Sequence, residues 1–303
     1  RLWIITAVAA AFAITPISRM WVGPILHKLK FGQTILDIGP KWHKNKQGTP
    51  TMGGIMFIFG IVIAVVAGFL VMEVTTDLSS RPDSGMIKAR LFYGLMLAMA
   101  FGIIGFADDY LKIVRKQNEG LTPSQKLLLQ TLFGVSYLIL LYISGNRSTL
   151  LVVPFIGSVD IGFLYYPFAL FAILALSNAV NFTDGLDGLL SSVTFVVAIA
   201  YMILTTILEQ WEMGIMAAAM AGGCLGFLVW NFYPAKVFMG DTGSLFLSGL
   251  VIALCFGTGL LLFILLIGVI YVVEMASVVM QMTYFKLTHG KRIFKMSPIH
   301  HHF

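Results

Sequence analysis

The sequence predicts an all-α polytopic membrane helix bundle with one short β-hairpin outside the bilayer. Two observations carry this. The 303 residues are 58% hydrophobic and only 11% charged, where soluble domains carry about 25% charge. The apolar residues also fall into runs near the ~20 residues that cross a hydrocarbon core. No polar linker, low-complexity tract or internal repeat divides the chain, so residues 1–303 read as one integral-membrane domain. The net charge of +6 reads as loop bias, since no aromatic-basic module for nucleic acid is present. Cys224 and Cys255 lie in apolar segments and read as core residues.

The first span is Leu2 to Trp21, with a kink expected at Pro16. Its length and the basic residues after it argue against a cleaved signal peptide. A basic loop with Lys28, Lys30, Lys41, Lys44 and Lys46 follows. The second span is Met52 to Met72, with Thr49 as N-cap and Pro50 at the first helical position. The third, Arg90 to Ala107, delivers Asp108-Asp109, and Lys112, Arg115 and Lys116 are placed in the loop beyond. Ser124 to Ser144 is the fourth. Ser148 to Tyr165 alternates Val, Phe, Ile and Gly around Pro154-Phe155-Ile156-Gly157, the pattern of a hairpin. Pro167 to Val180, Leu189 to Leu208 and Met213 to Trp230 are the fifth to seventh spans, and Asn231 to Ser244 is a loop. Leu245 to about Phe285 has length for two helices, with a turn near Gly257-Thr258-Gly259. A basic tail, Lys286 to Phe303, comes last.

Nine spans put the termini on opposite sides. The loops after the odd-numbered spans, with the span ends that adjoin them, hold 15 of the 20 Lys and Arg residues. That side is cytoplasmic by the positive-inside rule, and the N-terminus is external.

This topology sends nearly every unusual polar motif to the cytoplasmic face. Asp108 and Asp109 cannot share one helix face, since adjacent residues diverge by about 100°. One is free to meet a ligand while the other meets a neighbour. Asn181, Asp184 and Asp187 are spaced by three, so a helical turn would align them, and Gly185 and Gly188 allow close backbone approach. In Gly240-Asp241-Thr242-Gly243-Ser244, two glycines flank an acid and a hydroxyl just before a helix, where exposed N–H groups suit phosphate and the acid suits a hard cation. Lys46 with Gly53-Gly54 fits a phosphate or nucleotide role. Glu274 and Gln281 are polar residues within the last span, functional candidates by default. His300-His301-His302 has no Cys or Glu-x-x-His partner for zinc, and phosphate contact is the alternative. Carboxylates, basic residues and glycine turns on one face describe phosphoryl transfer, which needs positioning and charge neutralisation above all.

Taken together, five motifs resemble those of the polyprenyl-phosphate phosphoglycosyl transferases, in the phospho-N-acetylmuramoyl-pentapeptide transferase branch. They are Gly48-Thr49-Pro50-Thr51-Met52-Gly53-Gly54, Asp108-Asp109, Asn181-Phe182-Thr183-Asp184-Gly185-Leu186-Asp187-Gly188, Phe238-Met239-Gly240-Asp241-Thr242-Gly243-Ser244 and Pro298-Ile299-His300-His301-His302-Phe303. They occur in the family's order over essentially the whole chain, and the histidine segment separates this branch from relatives that transfer N-acetylhexosamine phosphate.

The resemblance implies that undecaprenyl phosphate attacks the β-phosphate of UDP-N-acetylmuramoyl-pentapeptide, giving lipid I and UMP, with Mg²⁺ as cofactor. It implies a catalytic set of Asp108, Asp109, Asp241 and His300, with Asp241 on the metal. Lys46, Thr51, Asn181, Asp184, Asp187, Asn231, Phe238 and Gln281 would line the nucleotide pocket, Phe238 stacking on uracil and Asp187 accepting its N–H. Lys112 and Lys116 would hold phosphate, and His301 would contact substrate. It further implies a bacterial cytoplasmic-membrane enzyme of peptidoglycan synthesis, its site facing the cytoplasm, a target of nucleoside antibiotics and a homodimer of ten-span chains. The tenth span would begin where this sequence stops, which reads either as truncation or as a continuation outside this sequence. The rival readings are a sister transferase using UDP-N-acetylglucosamine and a proton-coupled secondary transporter. A transporter would place its acids at mid-bilayer, usually with inverted repeats.

Overall fold

The computed structural model describes residues 1–28, 49–78, 82–115, 117 and 119–302. Lys46 and Lys116, together with most of the first basic loop, lie outside them. The helices are α1 (Leu2–Lys28), α2 (Gly54–Thr76), α3 (Ser84–Arg115), α4 (Pro123–Ile143), α5 (Tyr165–Phe182), α6 (Leu189–Ile207), α7 (Trp211–Asn231), α8 (Gly240–Thr258), α9 (Ile264–Ile267) and α10 (Val269–Leu287). Between α4 and α5, β1 (Leu150–Val153) and β2 (Gly157–Asp160) pair antiparallel, with Leu150 opposite Asp160 and Val153 opposite Gly157. Among the described residues, eight helices are long and apolar enough to cross a membrane, and the α9–α10 pair, bent by 88°, makes a ninth if it is one span. The bundle is that of a multi-pass membrane protein.

The core is built on α8, whose residues from Thr242 to Thr258 are all buried. Helix α3 lies against it along Gly94, Ala98, Gly102 and Gly105, one face at helical spacing. A β-carbon on Gly105 would fall on the backbone carbonyl of Asp241, and one on Gly249 would sit 2.5 Å from the Ala98 Cα. Between membrane helices, where lipid is as apolar as leucine, such small residues allow the backbone approach that drives packing.

Four expectations need correction. Helix α3 does not stop at Ala107 but continues to Arg115, so Asp108, Asp109 and Lys112 are helical rather than in a loop. The Asp108–Lys112 pair at i,i+4 supports this extension of about two turns. Helix α8 begins at Gly240, which moves Asp241 and Ser244 out of the expected loop into the first turns of a helix. Thr49 and Pro50 do not start α2, whose N-cap is Gly53. Instead Phe238 N–H donates to the Pro50 carbonyl and Gly53 N–H to the Phe238 carbonyl, which straps the starts of α2 and α8 together. Finally, Asn181, Asp184 and Asp187 do not share a helical turn, because α5 ends at Phe182 and a series of turns follows. The turn expected at 257–259 is present, with Gly259 left-handed (φ 74°) at the C-cap of α8.

Candidate active site

The close α3–α8 contact brings three carboxylates together. Asp109 follows Gly105 by four residues and so continues the face that touches α8. Its Oδ2 accepts from Thr242 N (2.9 Å) and Thr242 Oγ1 (2.7 Å), and its Oδ1 accepts from Asp241 N (3.2 Å). The first N–H groups of a helix have no partner of their own and carry partial positive charge. Asp109 supplies that partner from another helix.

Asp108 points a different way. Its Oδ1 accepts from Leu121 N (2.8 Å) and lies 3.1 Å from Lys126 Nζ, while its Oδ2 lies 2.6 Å from Lys112 Nζ. Gly120 packs directly against this carboxylate. The two lysines also reach Asp241 Oδ2, Lys112 at 2.9 Å and Lys126 at 2.8 Å. Asn181 fixes the other oxygen of Asp241 through Nδ2 (3.1 Å) and donates to Ser244 Oγ (2.7 Å). Asp108, Asp109 and Asp241 can each offer one oxygen within 4.8 Å of the others, a donor set able to hold a divalent cation.

A second constellation comes from the tail. After α10 the chain folds back and is pinned to one face of that helix. Gln281 Oε1 accepts from Ile293 N and Phe294 N (both 3.0 Å), and its Nε2 donates to the Phe294 carbonyl. Ser277 Oγ accepts from Ile299 N (3.0 Å), and His300 Nδ1 lies 3.0 Å from Glu274 Oε2. Both side chains of this last pair are 5% exposed. The His300 ring rests on the α5–α6 connection: a β-carbon on Gly185 would collide with its Nε2. That Nε2 is buried and makes no hydrogen bond among the described residues. The rings of His300 and His301 are 4.1 Å apart.

The remaining candidates sit around these two groups. Asp184, beside Gly185, has its carboxyl pushed up to about 8 by burial, with Asp241 and Asp109 adding repulsion. Asp187 Oδ2 accepts from Ala235 N (3.0 Å). Asn231 is buried, accepting from Gly188 N (3.2 Å) and donating to the Val237 carbonyl (2.9 Å), so it ties the 181–188 turn to the start of α8. Thr51 is half-buried near Gly240, where a β-carbon would come 3.0 Å from its Oγ1. Phe238 is half-buried beside the strap to Pro50.

Sequence reasoning did not place Lys126 in the site. A signal existed: a lysine in the first turn of α4 opposes the helix dipole. The start of α4 is fixed by the Thr122–Gln125 capping box with Pro123 at the first helical position. A cation held there needs an anionic partner, and it has two. Glu274 was singled out without a partner, and the structure gives it His300.

The sequence profile of glycosyl transferase family 4 matches residues 91–259. Signature 1 of the phospho-N-acetylmuramoyl-pentapeptide-transferases matches residues 46–58. The chain is 43% identical over 301 residues to the phospho-N-acetylmuramoyl-pentapeptide-transferase of Listeria monocytogenes serotype 4b (strain CLIP80459), covering 99% of this chain and 89% of the relative. It is 44% identical over 284 residues to the protein of that name from Acetivibrio thermocellus, covering 92% and 80%. The corresponding protein of Desulforudis audaxviator (strain MP104C) is 41% identical over 308 residues, covering 99% and 89%.

Proposed function

The chain is a member of glycosyl transferase family 4 and, within it, of the phospho-N-acetylmuramoyl-pentapeptide transferases, and on that premise we propose the following reaction. The protein transfers phospho-N-acetylmuramoyl-pentapeptide from its UDP-linked donor to undecaprenyl phosphate, giving lipid I and UMP for peptidoglycan synthesis. It works as a homodimer in the bacterial cytoplasmic membrane, with its site on the cytoplasmic face. The observation that carries the reading is the meeting of three carboxylates and two lysines at the start of a buried helix, next to the tail that holds His300.

The three carboxylates fit Mg²⁺, a hard cation that takes oxygen ligands and prefers one or two carboxylates plus substrate phosphate. Asp241 would be its principal ligand, and Asp108 the neighbour able to share it. When bound, the ion would neutralise charge on the donor's diphosphate.

The chain's own residues do the rest. Asp109 and Asn181 hold Asp241 in place from two sides. Lys112 and Lys126, already among the carboxylates, are positioned to turn toward phosphate oxygens as the leaving group gains charge. Thr51, Asn181, Asp184, Asp187, Asn231, Phe238 and Gln281, with Lys46, Lys116 and His301, complete the donor pocket. Phe238 offers an aromatic face to the uracil. The acceptor is a phosphate monoester, largely dianionic at pH 7 because its second pKa is about 6. Its oxygen attacks the β-phosphorus directly, the bond to the bridging oxygen breaks, and UMP leaves with that electron pair.

The test is incorporation of labelled donor into lipid extract, with UDP-N-acetylmuramoyl-pentapeptide and UDP-N-acetylglucosamine compared. Lipid product and UMP are expected from the first donor only. Efficient transfer from the second would overturn the substrate assignment.

A further inference from the structure

A cavity of about 340 Å³ opens between the end of α10 and the folded-back tail. Its walls are of two kinds. Met282, Phe285 and Met296 are apolar, while Lys286 and Arg292 are cationic. Gln281 also lines it, with both ends of its amide committed to the tail backbone at 293 and 294. The Arg292 guanidinium is steadied by an Nη1 hydrogen bond to the Lys295 carbonyl (3.3 Å).

The cavity shares a scaffold with the candidate active site. Gln281 lies seven residues beyond Glu274 on the same helix face, about 10 Å along the axis at 1.5 Å per residue. Glu274 holds His300, and Gln281 holds the strand of tail that walls the cavity. A group bound beside His300 therefore has a cationic, partly apolar chamber about two helical turns away.

Resting on the function proposed above, we infer that this cavity takes the peptide portion of the donor and that Lys286 and Arg292 receive its carboxylate. Any peptide ends in a carboxylate unless it is capped, and five extended residues reach at most about 17 Å. That span covers the distance from the histidines. Two cations complement the carboxylate, and the methionines, flexible and polarizable, suit small apolar side chains of variable shape. The diphosphate, by contrast, has its own cations in Lys112 and Lys126. The cavity thus separates recognition of the peptide from handling of the phosphates.

The same two cations would also suit an anionic lipid headgroup, and the experiment separates the sources. Transfer is measured with UDP-N-acetylmuramoyl-pentapeptide and with the same donor amidated at its C-terminus. Parent and the Lys286→Gln/Arg292→Gln double variant are compared in nanodiscs of zwitterionic lipid and of anionic lipid. The parent is expected to show a KM about tenfold higher for the amide than for the acid, the scale of one charge-assisted contact. In the double variant that ratio should fall to about one, in both lipids. A ratio unchanged by the substitutions overturns the inference. So does a defect that is equal for both donors and confined to anionic lipid, which assigns the cations to headgroups. A parent that makes no lipid product from the acid donor would instead overturn the function itself.

Discussion

Asp109 caps helix α8 from helix α3, its Oδ2 taking both the N–H and the hydroxyl of Thr242. The two adjacent aspartates therefore have different work. Asp109 orders the backbone that carries Asp241, while Asp108 faces the lysines. Asp109→Ala would leave buried donors at Asp241 and Thr242 without an acceptor, at about 1–3 kcal/mol for such a loss. Asp109→Asn retains one accepting oxygen and should lose less. Thermal unfolding in detergent should rank parent, Asn and Ala in that order, and the apparent Mg²⁺ affinity should fall in step. Two variants as stable as the parent would remove the capping role.

Asp241→Asn should nearly abolish turnover and weaken the dependence on Mg²⁺, because an anionic ligand is lost. A magnesium titration of UMP release checks this. Near-normal activity with an unchanged optimum would refute the metal assignment.

Lys126→Ala should lower turnover by about 100-fold, with Lys126→Arg recovering little of it. The cation lies between Asp108 and Asp241, where a compact ammonium is not replaced by a planar fork. Activity within twofold of the parent in the Ala variant would reduce Lys126 to a structural partner of Asp108.

Gly185→Ala should impair transfer by about tenfold or more and lower the melting temperature little. The added methyl would collide with His300 Nε2, and the ring is held from its other side by Glu274. In a His300→Ala background the same substitution should cost almost nothing more, the non-additivity expected of touching residues. Equal losses in both backgrounds would show that the turn matters for another reason.

Asp184 makes a pH prediction. Its folded-state carboxyl titrates at about 8, against an ordinary value near 3.9 in an unfolded chain. The native state holds a proton there that the unfolded state has released, so this group's contribution falls as pH rises from about 4 to about 8 and is flat above. Melting temperature against pH, in metal-free buffer, should decline more steeply over that window in the parent than in Asp184→Asn. Parallel curves would show that Asp184 is not protonated in the folded protein.

Much of the molecule was legible in the sequence because its strongest signals are local. Apolar runs located the spans, and Pro154 to Gly157 located the hairpin. The site motifs could be named for the same reason. Boundaries were misjudged where tertiary contacts extend a helix past its apolar stretch. The helix runs on past Ala107 where Asp109 and Lys112 meet the start of α8 and Asp108 meets Lys126, contacts that no local pattern encodes. The placement of Thr49 and Pro50 failed in the same manner: a sound capping signal yielded to backbone pairing with Phe238, remote in sequence. Lys126 stands in the first turn of α4, against the dipole, but that local signal names no partner, and only the fold brings it to Asp108 and Asp241.

The pinning of the tail to α10 at Glu274, Ser277 and Gln281 determines where the chain tolerates insertion. One residue added between Glu274 and Gln281 would turn the later anchor by about 100° and shift it 1.5 Å, parting the tail from its helix and lifting His300 off Gly185. One residue added at the exposed bend from His289 to Lys291 would be absorbed without disturbing any of the three anchors. Length polymorphism in this part of the chain should accordingly be confined to the bend, while the seven-residue interval on the helix stays fixed.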